Sequence, residues 1–93
     1  MAQVKDASLK PLGYVKINPT TATGLTVPTG ARYAMCKAEA FQVRYRDDGT
    51  NPTASDGMLI DVGDEFWYAG NLNTVKFIDT AAGASTLHVS FYR

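Results

Sequence analysis

From residue 13 onward, hydrophobic and polar positions alternate with a period of two. Successive side chains of a strand point to opposite faces, so this alternation describes strands with one buried face. The clearest run sets Phe41, Val43 and Tyr45 against Gln42, Arg44 and Arg46. Tyr33, Met35 and Lys37 alternate with Ala34, Cys36 and Ala38. Leu87, Val89 and Phe91 alternate with His88, Ser90 and Tyr92. Shorter strands are predicted over 14–17, 25–27, 58–62, 65–69 and 75–78. Turn formers separate them: Asn18-Pro19, Pro28-Thr29-Gly30, Asp47-Asp48-Gly49, Asp56-Gly57 and Gly63-Asp64. Glycine supplies the positive φ of tight reversals, and Asn and Asp bond their own backbone there. About eight short strands with turn signals every eight to twelve residues predict an all-β domain, a small antiparallel β-sandwich or jelly-roll-like barrel. No segment carries apolar residues at helical spacing over three turns, and 80–85 would make one helical turn at most. Residues 1–12 are polar and aperiodic and read as a flexible N-terminal arm ahead of a single domain over 13–93. Val4, Leu9 and Leu12 are the positions through which such an arm would order on a neighbouring subunit.

Size and charge sharpen this. Ninety-three residues make one domain, and a domain this small buries only about 60–65% of its unfolded surface, so assembly with other chains would help it. Nine Lys+Arg balance nine Asp+Glu. A neutral chain has no broad pull on nucleic acid or an anionic membrane, and neither is expected as a partner. Cys36 is the sole cysteine, which leaves no intrachain disulfide and reads as a small buried apolar residue. The first thirteen residues lack an apolar signal-peptide core, and no stretch approaches the roughly 20 apolar residues of a membrane span. Synthesis in the cytoplasm is expected, with use there or carriage inside an assembly.

Candidate chemistry is sparse, and no cofactor, small-molecule ligand or catalytic residue is expected. His88 is the one histidine, and its strand places it opposite the apolar face, toward solvent or an interface. A nucleophile needs a neighbouring base, and nothing around Cys36 or His88 suggests activation. Asp47, Asp48, Asn51 and Asp56 crowd one loop and are the candidates for calcium. Their spacing fails the helix-loop-helix calcium pattern, and turn chemistry explains the same residues. Asp64 and Glu65 are adjacent and would point to opposite faces of a strand, unlike a glycosidase pair. Arg44 and Arg46 share one strand face and could bind an anion or a partner's carboxylate. Phe66 and Trp67 are neighbours, so one ring leaves the core side, and an outward aromatic near Trp67 suggests a contact surface.

Three segments carry a resemblance. Thr23-Gly24-Leu25-Thr26-Val27-Pro28-Thr29-Gly30-Ala31 resembles the opening of small tailed-bacteriophage virion proteins. Val43 to Thr53 with Gly57-Met58-Leu59 resembles their central hairpin, and Phe77-Ile78-Asp79 with Ala82-Gly83-Ala84 their C-terminal portion. The chain looks similar, over about 13–93, to the capsid decoration (cement) proteins of phages. The resemblance implies a non-enzymatic structural protein on the capsid surface of the virion, made in the host cytoplasm. Its partners would be the major capsid protein and copies of itself, and its task to stabilise the head. Partner contacts would fall on Val4, Leu9, Leu12, Arg44, Arg46 and Trp67. A tail or head-tail connector accessory protein is the alternative within the same resemblance. Tyr45-Arg46-Asp47-Asp48-Gly49-Thr50-Asn51-Pro52-Thr53 is also similar to a strand–turn motif of small immunoglobulin-like modules of carbohydrate-active enzymes. That implies a carbohydrate-binding β module, with Trp67, Tyr68 and the 47–56 loop as its platform.

Overall fold

A computed structural model describes residues 9–81 and 83–93. Val4, one of the proposed arm contacts, lies outside the described residues. Among the described residues seven strands form: β1 (Pro11–Ile17), β2 (Tyr33–Glu39), β3 (Val43–Arg46), β4 (Met58–Ile60), β5 (Phe66–Tyr68), β6 (Lys76–Asp79) and β7 (Thr86–Tyr92). All strand pairs are antiparallel. One sheet has the order β1-β7-β2-β5 and the other β4-β3-β6. The fold is all-β, as the alternation predicts.

The strand predicted over 25–27 does not form. In its place Thr23 makes a single two-way bridge with Phe77, N–H to carbonyl at 2.8 and 2.9 Å. Leu25 and Val27 pack half-buried against the core instead, and Pro28 withholds the N–H that a longer ladder would need. Counted as a rudimentary strand, the Thr23 segment lies on the free side of β6. In chain order the sheets then read first-eighth-third-sixth and second-seventh-fourth-fifth, the strand order of a jelly roll.

β1 starts earlier than the predicted boundary at residue 13. Lys10 and Arg93 exchange backbone hydrogen bonds of 2.9 and 3.0 Å, and the β1–β7 register shifts between Pro11 and Gly13. Proline is tolerated at the first residue of an edge strand, so the ladder opens there. Leu12 therefore packs against the core rather than waiting on an arm, and Leu9 is half-buried.

The core lies between the sheets. Ala34, Cys36 and Ala38 of β2 and Leu87, Val89 and Phe91 of β7 face Val43, Ile60 and Phe77 of the other sheet. Each fully buried Val, Leu or Phe contributes about 1.5–3 kcal/mol. The shortest molecular extent is 18 Å, room for two sheets about 10 Å apart with their outer side chains. Phe41 departs from the predicted alternation. It is 48% exposed, because β3 begins at Val43 and Phe41 belongs to the link from β2, where Ala40 takes a positive φ of 81°.

Candidate functional site

The 47–57 loop is folded back onto β3 by the two arginines that sequence parity turns outward. Arg44 donates from Nε to the Ala54 carbonyl at 3.1 Å and from Nη1 to the Gly57 carbonyl at 2.9 Å. Arg46 donates to both Asp48 oxygens at 3.1 and 2.5 Å and to Asp56 at 3.1 Å. The Arg46 hydrogen bond is the main cause that holds the Asp48 carboxyl below its ordinary value, and the Thr50 N–H adds to it. Asp47 accepts a 2.7 Å bond from the Tyr68 hydroxyl. Burial first, and then Asp47, push that phenol up to about 12. Gly57 closes the loop at φ 143°, where a Cβ would come within 3.1 Å of both Arg44 Cβ and the Tyr45 carbonyl.

This loop borders an open depression of about 320 Å³ lined by Arg46, Asp47, Asp48, Asp56, Gly57 and Met58. Its acids were the calcium candidates. A guanidinium occupies the centre of that cluster, and Asn51 stands exposed beside buried Pro52. Among the described residues, no group of three or more His, Cys, Asp or Glu side chains is placed to hold a metal ion.

The outer face of the four-stranded sheet carries a second cluster. Tyr14 Oη lies 2.6 Å from His88 Nδ1, and His88 Nε2 lies 2.7 Å from Glu39 Oε1. A carboxylate oxygen only accepts, so the tautomer that fits both contacts carries its proton on Nε2 and accepts from Tyr14. Lys16 and Lys37 stand directly opposite His88 on the neighbouring strands. Cys36 points into the core from the other face of this sheet, its thiol pushed up to about 12 by burial. The sheet thus separates Cys36 from His88. Trp67 is the outward member of the aromatic strand. Its ring is half-buried against Tyr92, with centroids 5.3 Å apart, and its indole N–H is enclosed with no acceptor among the described residues.

Two flanks of the sandwich differ in kind. β4 and β5 are edge strands of the two sheets and are joined by residues 61–65, so they bound the same side. This side exposes Met58 (63%), Leu59 (44%) and Val62 (50%) and the carboxylates Asp61 and Asp64. Its backbone is largely spoken for. The Gln42 carbonyl accepts from Thr80, so β3 turns its odd residues to β4 and leaves only Leu59 of β4 with outward backbone groups. Gly57 and Asp61 carbonyls are held by Arg44 and by the Asp64 N–H. The opposite side is bounded by β1 and by β6 with the Thr23 segment. It exposes Tyr14 (59%) and the cations Lys10, Lys16 and Lys76.

Sequence parity found the faces of Arg44, Arg46 and His88 but not their partners, and it left open which of Phe66 and Trp67 turns outward. It missed the two buried polar residues, Asp79 and Ser85. Asp79 caps its own turn by accepting from Ala81 N at 3.3 Å and Gly83 N at 2.7 Å, a role that Asp four residues before Gly could have signalled. The Ser85 hydroxyl donates to the Phe41 carbonyl and ties the β2–β3 link to the start of β7. It missed the two flanks as well, because they join residues far apart in the chain. No protein-family model, curated protein or solved structure matches this chain.

Proposed function

We propose that this chain is a non-enzymatic structural protein of a tailed-bacteriophage virion, which binds the major capsid protein lattice as a homo-oligomer and stabilises the head. One observation carries the reading. Most of the charged side chains around β3 and β6 are consumed in holding loops, whereas the large exposed residues Tyr14, Met58 and Leu59 lie on the edge strands β1 and β4, Val62 on the link after β4 and Phe41 on the link after β2. Arg44, Arg46, Asp47, Asp48, Asp56 and Asp79 all serve loop closure. That distribution suits a rigid body with contact surfaces rather than a pocket where polar groups converge. The jelly-roll strand order supports the reading at the level of fold, since viral capsid domains recur in it. The resemblance of the 43–53 hairpin and the C-terminal portion to decoration proteins supports it at the level of sequence. The stacked, half-covered Trp67 leaves a carbohydrate platform without a flat open ring.

The mechanism is surface burial across subunit joints. Each contact is modest, and many copies on one shell multiply it. The test is co-sedimentation of the purified chain with empty shells of a tailed-phage major capsid protein. Saturable pelleting and a higher temperature of shell rupture are expected. A chain that stays in the supernatant at every salt concentration overturns the proposal. Electron microscopy of the native particle separates the alternative, because density confined to one vertex would make it a connector component.

A further inference from the structure

The net charge of zero conceals a separation. Residues 39–65 hold seven of the nine acids and two of the nine bases, while the remainder holds seven bases and two acids. Within 39–65 both bases, Arg44 and Arg46, are engaged inside the 47–57 loop. The fold then carries Asp64 and Asp61, the latter also accepting from Gln42, to the β4/β5 flank and Lys10, Lys16 and Lys76 to the β1/β6 flank, while exposed Glu39 is held by His88 on the sheet face between them. Of the two carboxylates in the remainder, Asp79 on β6 is buried and turned to its own loop.

The flanks lie on opposite sides of the sandwich. β1 and β5 are the two edges of one sheet, and β4 and β6 the ends of the other. The β1/β6 side is a continuous surface. The Pro19 carbonyl accepts from Asp79 N at 2.8 Å, Thr23 bridges Phe77, and Pro28 lies 3.4 Å from where a Cβ on Gly13 would stand. Each flank pairs charge of one sign with exposed apolar groups: Met58, Leu59 and Val62 with aspartates on one, Tyr14 with lysines on the other.

We propose that these flanks are the two halves of one contact, by which the β4/β5 side of one copy docks on the β1/β6 side of the next. The partner is a second copy of this chain. Two β4/β5 flanks brought together would set aspartates against aspartates, so the contact is head to tail rather than a two-fold dimer. It is made by side chains, since β4 offers the backbone groups of Leu59 alone. The inference deepens the self-association within the reading above and is scored independently of shell binding.

The experiment measures the mass of the full chain by light scattering across ionic strength and concentration. A multiple of 10.1 kDa is expected at low salt, falling toward 10.1 kDa as salt rises, because screening shortens from about 30 Å at 0.01 M to about 8 Å at 0.15 M. Lys16→Glu with Lys76→Glu makes both flanks acidic, and Asp61→Lys with Asp64→Lys makes both basic. Each double variant is expected to be monomeric, with a far-ultraviolet spectrum like that of the parent. An equimolar mixture of the two is expected to recover the lost mass, since each acidic flank then meets a basic one. A parent that is monomeric under all conditions, a double variant that keeps the parent's mass, or a mixture that stays monomeric overturns the proposal. A monomer that still pellets with shells overturns the flank contact alone. An oligomer that never pellets overturns the shell reading alone.

Discussion

Arg46 shows how one side chain decides what its neighbours can do. It lies among Asp48 and Asp56 and converts an acidic cluster into a self-neutralised loop. The Asp48 carboxyl, held low by this pair, adds stability at neutral pH that is lost only as the pH falls through its depressed value. On the alkaline side Cys36 and Tyr68 carry the largest shifts, and Tyr45 adds to them, raised by burial and then by Asp47. Burial raises the thiol from 9.0 to about 12, and burial with Asp47 raises the phenol from 10.0 to about 12. Both pKa values are higher in the folded state. Their contribution is therefore intact below the ordinary values and is lost as the pH climbs through the folded ones. The urea midpoint should hold level from pH 7 to about 9 and fall steadily toward about 12. In Cys36→Ala the earliest part of that fall should vanish, whereas Tyr68→Phe should keep it. A midpoint in the parent that is level to about pH 11 would contradict the assignment.

At the scale of elements, β6 and β4 form a contrast within one sheet. Phe77 on β6 is fully buried, and Leu59 on β4 is open to solvent. Phe77→Ala should cost about 3–5 kcal/mol, a large share of the about 5–15 kcal/mol that holds a domain together. Leu59→Lys should change stability by less than about 0.5 kcal/mol. Urea unfolding of both variants checks the pair, and equal losses would mean that the sheet is wrongly layered. The same contrast explains what was legible beforehand. β2, β3 and β7 alternate cleanly because each has one face in the core and one outside, so parity alone names their inward residues. β4 and the 25–27 segment do not. They lie at the margins, where Met58 shares the inward parity of Ile60 yet stays exposed, and where Leu25 and Val27 fill the core edge without joining a ladder. The arginines were placed on the correct face, but local sequence holds no record that a loop ten residues later would return to occupy them.

The whole molecule depends on contacts between distant parts of the chain. Pro11 pairs with Tyr92 and Gly13 with Phe91, and the central β2–β7 pairing also spans about half the sequence. Closure of such loops comes before any reward from packing, so the main refolding phase should fall in the range of milliseconds to seconds. Stopped-flow fluorescence of Trp67 would report it, and completion within microseconds would contradict this topology. The whole molecule also revises what composition suggests. Equal numbers of acids and bases imply a chain without electrostatic direction, yet folding sets Asp61 and Asp64 on one flank and Lys10, Lys16 and Lys76 on the other, with Glu39 and Lys37 on the sheet face between them. That polarity exists only in three dimensions.

The pairing of Lys10 with Arg93 has a mechanical consequence. β1 and β7 run antiparallel, and the start of one lies beside the finish of the other. A pull between these two points would load the ladder one hydrogen bond at a time, opening it from the corner like a zipper. The same ladder pulled along its length would share the load over every rung. A body built this way resists tension poorly at that corner and well along its strands. A load is carried best along the strands, with that corner left slack.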